Sequence, residues 1–243
     1  FRILSRGLGA RSLDPLTFHR DCEVLLAEVR RNPDDERSVL HLAMTYEYLG
    51  DHANARTWFA RHTQLGRWDP VIYYSMLGLA RAMFNLGEPW ADVLEAYLQA
   101  FEFRPIRAEA LNTIAVHYRE AARYEMGYVF AKRAAEIPLP EGDTFFVEPH
   151  VHQWAAADEQ AVCASWIGKG FEAMGIWRRL LTRDDIPDAD RVRIVNNRDH
   201  VGSQLVEVCA AYPVDLVRRP PGRPDGEVTV SILAGPDRIL AEA

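Results

Sequence analysis

Four stretches of this chain set small, aromatic and glycine residues in the same order. "LAMTYEYLGDHANARTWFARH" (42–62) places Ala43, Tyr46, Leu49-Gly50, Ala55 and Phe59. The order returns at 79–101 with Ala80, Met83, Leu86-Gly87 and Tyr97, and at 114–134 with Ala115, Tyr118, Gly127 and Ala131. A looser copy at 161–181 has Ala161, Ile167-Gly168 and Ala173. The small residues 43, 80, 115 and 161 lie 37, 35 and 46 positions apart. Apolar residues recur at helical spacing within each copy, as at Leu94, Tyr97, Leu98 and Phe101. One such helix pair cannot cover its own apolar face, so successive pairs must stack and share a core.

Helix, short turn and helix at a spacing near ~34 residues is the tetratricopeptide signature. The expected fold is therefore all-α: a right-handed α-solenoid of about four tetratricopeptide-like helix pairs, with a C-terminal linker and one short β-strand. The expected layout is an N-terminal extension at 1–14 and a helical repeat domain at 15–212. A Pro/Gly/Arg-rich linker follows at 213–227, then a strand-like tail at 228–243 that begins "VTVSILAG". A helix is expected near 15–31. At the far end, Asp188 or Asp190 caps a short helix, and a second helix near 198–211 buries Val201, Leu205, Val208 and Cys209. Between the third and fourth pairs lies a proline-rich insertion at 137–154, with aromatic residues Phe145 and Phe146 at its centre. It is too long for an ordinary helix connection and is expected to pack on the solenoid.

The formal net charge of −7 disfavours a nucleic-acid partner. Three widely spaced cysteines form no disulfide framework or zinc pattern and fit a reducing, cytoplasmic setting. No apolar run approaches the ~18 residues of a membrane span, and no cofactor motif is present.

"FEFRPIRAEALN" (101–112) poses a local problem. Pro105 ends one helix and closes the second repeat, but Arg107 stands where the next helix begins, and a cation is disfavoured there. Either Glu102, Glu109 or a carboxylate of the 141–148 loop neutralises it, or it serves a surface that binds an anion. Two weaker features sit in the chain. "EPHVH" offers Glu148, His150 and His152, and in an extended segment the two imidazoles would share one side and could share a metal. "DADR" (188–191) looks like a metal-binding Asp-x-Asp but fits helix capping better. No catalytic constellation emerges, so enzymatic activity of this chain is left open.

The first helices of a solenoid line its inner groove. By repeat alignment Arg37, Tyr48, Tyr74, Arg81, Asn85, Asn112, Arg119 and Asp158 point inward. Three arginines and two asparagines suit an extended acidic peptide or a carboxylate terminus.

Several motifs resemble the tetratricopeptide region attached to bacterial family 2 glycosyltransferases. Arg104, Pro105, Arg107, Ala108 and Glu109 match an Arg-Pro-x-Arg-Ala-Glu motif, and Tyr118-Arg119 matches a Tyr-Arg pair in the same helix. Phe130 to Arg133 matches Phe-Ala-Lys-Arg, Ile137 to Pro140 matches Ile-Pro-x-Pro, and Phe146 to Glu148 matches Phe-Val-Glu. The loop then departs from the family, with Pro149-His150-Val151-His152 in place of acidic and tyrosine residues. The resemblance spans roughly residues 10 to 200. It implies a noncatalytic interaction module that positions a transferase domain, acceptor or partner protein, with Arg104, Pro105, Arg107, Glu109 and Tyr118 serving structure. The alternative is a free-standing peptide-binding adaptor. A metal-dependent enzyme built on the 148–152 loop is a third and weaker reading.

Overall fold

A computed structural model describes residues 16–143, 145–210, 231–234 and 237–240, with side chains described through 205. Ten α-helices follow in order among them. They are α1 (Thr17–Arg31), α2 (Glu36–Tyr48), α3 (His52–Leu65), α4 (Asp69–Asn85), α5 (Trp90–Phe103), α6 (Glu109–Glu120), α7 (Tyr124–Ala135), α8 (Ala156–Trp166), α9 (Gly170–Leu181) and α10 (Asp188–Ala210). Each packs on its neighbours in sequence, and the first helices α2 and α4, and α6 and α8, also lie side by side. The fold is an all-α solenoid of four pairs, α2–α3, α4–α5, α6–α7 and α8–α9, with α1 before them and α10 after.

The four aligned alanines explain the stacking. Ala43, Ala80, Ala115 and Ala161 are fully buried, as are Ala55, Ala131 and Ala173 on the second helices. A methyl group at these positions lets two helix backbones approach closely. Gly78 goes further, since a Cβ there would come within 2.6 Å of the Phe59 ring. Large residues fill the remaining space. Tyr73, Leu77, Val93, Tyr97, Leu111, Ile114 and Tyr118 form one core across the second and third pairs. Trp154, Ile176, Trp177, Leu180, Ile186, Ile194 and Val201 form another across the fourth pair and α10. Asp35 and Asp51 cap α2 and α3 through the amides of Ser38 and Asn54.

Each first helix ends in the same reversal. Gly50, Gly87 and Gly168 adopt φ of +71°, +72° and +77°, and amides just beyond them reach back five residues into the helix, as from Asp51 to the Tyr46 carbonyl and from Glu88 to that of Met83. In the third pair the position belongs to Ala122, at φ 54°. Its neighbour Arg123 makes the same bond to the Tyr118 carbonyl at 2.8 Å. Gly127, the third copy's glycine in the repeat alignment, lies inside α7. A Cβ there would meet Cys163 Sγ at 2.8 Å, so this glycine serves helix contact rather than the turn.

Three further expectations need correction. Residues 188–210 form one helix instead of two. Asp188 and Asp190 lie in its first turn, where carboxylates favour the helix dipole, while the Pro187 carbonyl takes the first helical bond, from the Arg191 amide. Val201 is buried and Leu205 packs beside it, whereas the side chains of Val208 and Cys209 lie outside the described residues. The strand-like tail contains two strands, β1 (Ser231–Ala234) and β2 (Asp237–Leu240), paired antiparallel with Ser231 opposite Leu240. The insertion is shorter than expected. Helical backbone resumes at Pro149, and Val151–Ala155 form a π-turn that runs into α8. The extension at 1–14 and the linker at 213–227 lie outside the described residues.

Ala122 holds a left-handed conformation that disfavours any residue with a Cβ. Ala122→Gly should raise stability by about 0.5–1 kcal/mol, the relief of strain exceeding the entropic cost of glycine. Gly87→Ala, where a Cβ would meet nothing within 4 Å, should lower it by about 1 kcal/mol through the backbone alone. Thermal denaturation of the two variants checks both signs.

Candidate functional site

Arg107 is fully buried, and its guanidinium is saturated. Nε and Nη2 donate to Glu109 at 3.0 and 2.7 Å, and Nη1 donates to Asp143 at 3.3 Å. Nη1 and Nη2 also donate to the carbonyls of Phe145 and Phe146, at 3.4 and 2.7 Å. The Tyr73 ring stacks beneath it, 4.7 Å from the guanidinium carbon. Glu109 and a carboxylate of the 141–148 loop thus both hold Arg107. Arg104, at the C-terminal end of α5, adds a 2.6 Å bond to Asp143.

The ion cluster fastens the insertion to the solenoid. Glu109 accepts the Glu148 amide at 3.1 Å. His152, whose side chain is buried, donates from Nδ1 to the Ile137 carbonyl at 3.2 Å and holds Nε2 3.6 Å from Glu109, an ion-pair contact longer than a hydrogen bond. Burial alone would raise the Glu109 carboxyl. The nearby His152 imidazole, with hydrogen bonds from Arg107 and the Glu148 amide, outweighs it and brings the group down to about 2. Burial would lower His152, yet Glu109 and the Ile137 carbonyl raise it above its ordinary value. His150 and His152 do not converge on one metal. They stand on helical backbone, where residues two apart diverge, and His150 is half exposed 3.9 Å from Glu148.

Aromatic side chains complete the attachment. Phe146 stacks on Tyr74 at 4.0 Å, and Phe145 lies against Trp68 at 4.9 Å. Tyr74, expected on the open groove, is therefore covered by the chain's own insertion. Arg81, one turn pair further along α4, donates to Glu47 of α2 at 2.9 Å and stacks over Tyr74. Arg37 lines a smaller hollow of about 330 Å3 with His62, Trp68, Val71 and Phe145. Tyr48 stacks on Phe18 of α1, and Asn85 is exposed at the end of α4. Neither lines a cavity described here.

Asn112, Arg119 and Asp158 do meet. They line an open cavity of about 710 Å3 on α6, α8 and α10, with Val116, Trp154, Glu159, Asp190, Arg193 and Asn197. Its guanidiniums are already engaged. Arg119 donates to Glu159 at 2.5 Å, and Arg193 donates to Asp158 at 2.6 Å and Asp190 at 3.0 Å. Asp158 also accepts from the Trp177 indole at 2.9 Å. Burial pushes the Glu159 carboxyl up despite the attraction of Arg119. Four lining carboxylates, Asp158, Glu159, Asp185 and Asp190, face the lining Arg119 and Arg193, and Asp185 is held by a third arginine, Arg183, at 2.6 Å. A carboxylate-binding groove is thus not what this wall presents. The roles of Glu159 and Arg193 were not legible, because each takes its partner 35 to 40 residues away.

No protein-family profile matches the chain, and no curated protein matches it in sequence. Solved structures do match its fold. BtubC (BKLC) from P. vanneervenii is similar over 90% of this chain and 98% of its own, at 14% identity and a TM-score of 0.55. MamA is similar over 85% and 99%, at 14% identity and a TM-score of 0.52. A tetratricopeptide repeat protein from Parabacteroides merdae is similar over 82% and 75%, at 17% identity and a TM-score of 0.51. At such identities the likeness concerns the fold, and the class it defines is the tetratricopeptide-like α-solenoid. Among the described residues no helix is long and apolar enough to cross a membrane.

Arg107→Ala should cost about 3–5 kcal/mol, since Glu109 and Asp143 would remain buried without their cation. Urea unfolding followed by circular dichroism measures it. The cluster also sets a pH window. His152 is raised, so its contribution is complete below its unfolded value of about 6.5 and is lost as pH rises through the folded value. Glu109 is lowered, so its contribution is complete above its unfolded value and disappears as pH falls toward about 2. His152→Gln should flatten the decline of Tm on the alkaline side and move the acid limb to higher pH, since Glu109 loses one of the groups that lower it.

Proposed function

We propose that this chain is a protein-interaction scaffold whose partner binds the open half of the concave face, between α6, α8 and α10. The carrying observation is the cavity itself. Two first helices, α6 and α8, the terminal helix α10 and Gln153 of the π-turn contribute polar side chains to one wall, with Val116 and Trp154 as apolar floor. The surplus of carboxylates favours a neutral or basic segment over an acidic one.

Two settings suit such a scaffold. The motif resemblance at 101–154 favours the accessory region of a bacterial glycosyltransferase, where the solenoid would position a catalytic domain or its acceptor. The solved structures of similar fold bring no transferase with them, so a free-standing adaptor is equally compatible with the fold. A transferase domain encoded beside this chain in the same gene would decide for the first.

The surface itself can be tested without knowing the partner. A photoreactive residue at Val116 or Asn197 should crosslink a discrete partner, whereas the same residue at exposed Val129 on the second helix α7 should not. Equal capture from all three positions, or none from the cavity, would overturn the assignment.

A further inference from the structure

The insertion lies on the same concave face as the open cavity. Glu109, Asn112, Val116 and Arg119 recur at helical spacing along one side of α6. The last three line the cavity, and the first holds the insertion. The groove is therefore half filled by the chain itself and half open.

The filled half shows what it selects. A carboxylate, Asp143, enters between Arg104 and Arg107. Two consecutive backbone carbonyls, of Phe145 and Phe146, accept from Arg107. Two adjacent rings settle on Trp68 and Tyr74. These are the contacts a solenoid makes to a bound extended peptide: main-chain carbonyls held by a fixed donor, side chains taken by separate seats.

The insertion is anchored unevenly. Its ends are core residues, Ile137 and Val151, which belong to the buried apolar cluster of the second and third pairs. Its tip is not. Neither Phe145 nor Phe146 belongs to a buried apolar cluster, Phe146 is 38% exposed, and Trp68, the seat of Phe145, is 53% exposed. Phe146 also holds φ 50°, a conformation that a bulky side chain disfavours. A strained aromatic tip on a half-open seat can be exchanged while both roots stay in place.

We propose that Asp143, Phe145 and Phe146 are a cis ligand of the groove, and that their seat accepts in trans a segment of the same chemistry: a carboxylate, one intervening residue, then two adjacent aromatic residues. This rests on the reading of the concave face as an interaction surface. It adds a second recognition site with its own specificity, closed in the resting chain by tethered competition.

The test uses the fluorescein-labelled peptide EGDTFFVEPH, residues 141–150, and fluorescence anisotropy with the full 243-residue chain. Phe145→Ala/Phe146→Ala empties the two aromatic seats and leaves Asp143 on Arg104 and Arg107. That variant should bind the peptide at least about tenfold tighter than the unaltered chain, because tethered rings no longer compete for Trp68 and Tyr74. Trp68→Ala on that background, or alanines in place of both peptide phenylalanines, should reverse the gain. Equal affinity of the variant and the unaltered chain, or no binding by either, would overturn the proposal. Loss of helical circular dichroism in Phe145→Ala/Phe146→Ala would overturn it too, since the tip would then be a structural support and not a ligand. Crosslinking from Val116 and Asn197 is independent of this result, so failure here leaves the open cavity assigned.

Discussion

The arrangement depends on one buried guanidinium. Removing a cation from water is expensive, and Arg107 is tolerated only because every face of it is used: two carboxylates, two carbonyls and an aromatic ring. Lysine would not serve. An ammonium group lacks the planar fork that reaches Glu109 on one side and Asp143 on the other. The unfavourable location at the start of α6 is overcome by the same contacts, since Glu109 in that first turn neutralises the cation and complements the helix dipole.

That guanidinium stands where the helix backbones of the solenoid are spaced most widely. First helices α2 and α4 lie close together, and so do α6 and α8, whereas α4 and α6 meet through side chains, with Tyr73 accepting from the Ala110 amide and packing in one core with Leu111 and Ile114. The insertion occupies the resulting gap. Phe146 rests on α4 through Tyr74, Glu148 is bonded to α6 through Glu109, and Asp143 reaches α5 through Arg104. The ion cluster thus adds to the apolar core that the second and third pairs share.

The repeat was legible because it is written in residue size. Ala43, Ala80, Ala115 and Ala161 mark close helix contacts, and a bulky residue at any of them would have hidden the period. The third reversal was not legible, because Ala122 occupies a position where glycine is expected and Gly127 lies near enough to be mistaken for it. The need of Arg107 for a carboxylate followed from helix electrostatics alone. That the insertion would turn back onto Trp68 and Tyr74 did not, because those partners lie about 70 residues upstream and their side chains follow no local periodicity. The histidines failed for a related reason. Their spacing suits a metal on an extended segment, but the Glu148 carbonyl accepts the Val151 amide and helical backbone starts before them.

Residue type alone also misled about charge. Arg81 and Arg119 were expected to offer free guanidiniums to an anion, and the aligned positions do bring them to first helices. Each is met by a carboxylate from the neighbouring first helix, Glu47 and Glu159. An incoming carboxylate would have to displace a partner that is already tethered at high effective concentration. The groove therefore discriminates less by its count of arginines than by which of them are taken. Arg104 and Arg107 are held by Asp143, and of the carboxylates that satisfy groove arginines, this one is carried by the insertion rather than by a solenoid helix. A carboxylate mounted on a loop can leave together with that loop. Those on α2 and α8 can swing away only one side chain at a time, and their helices stay in place.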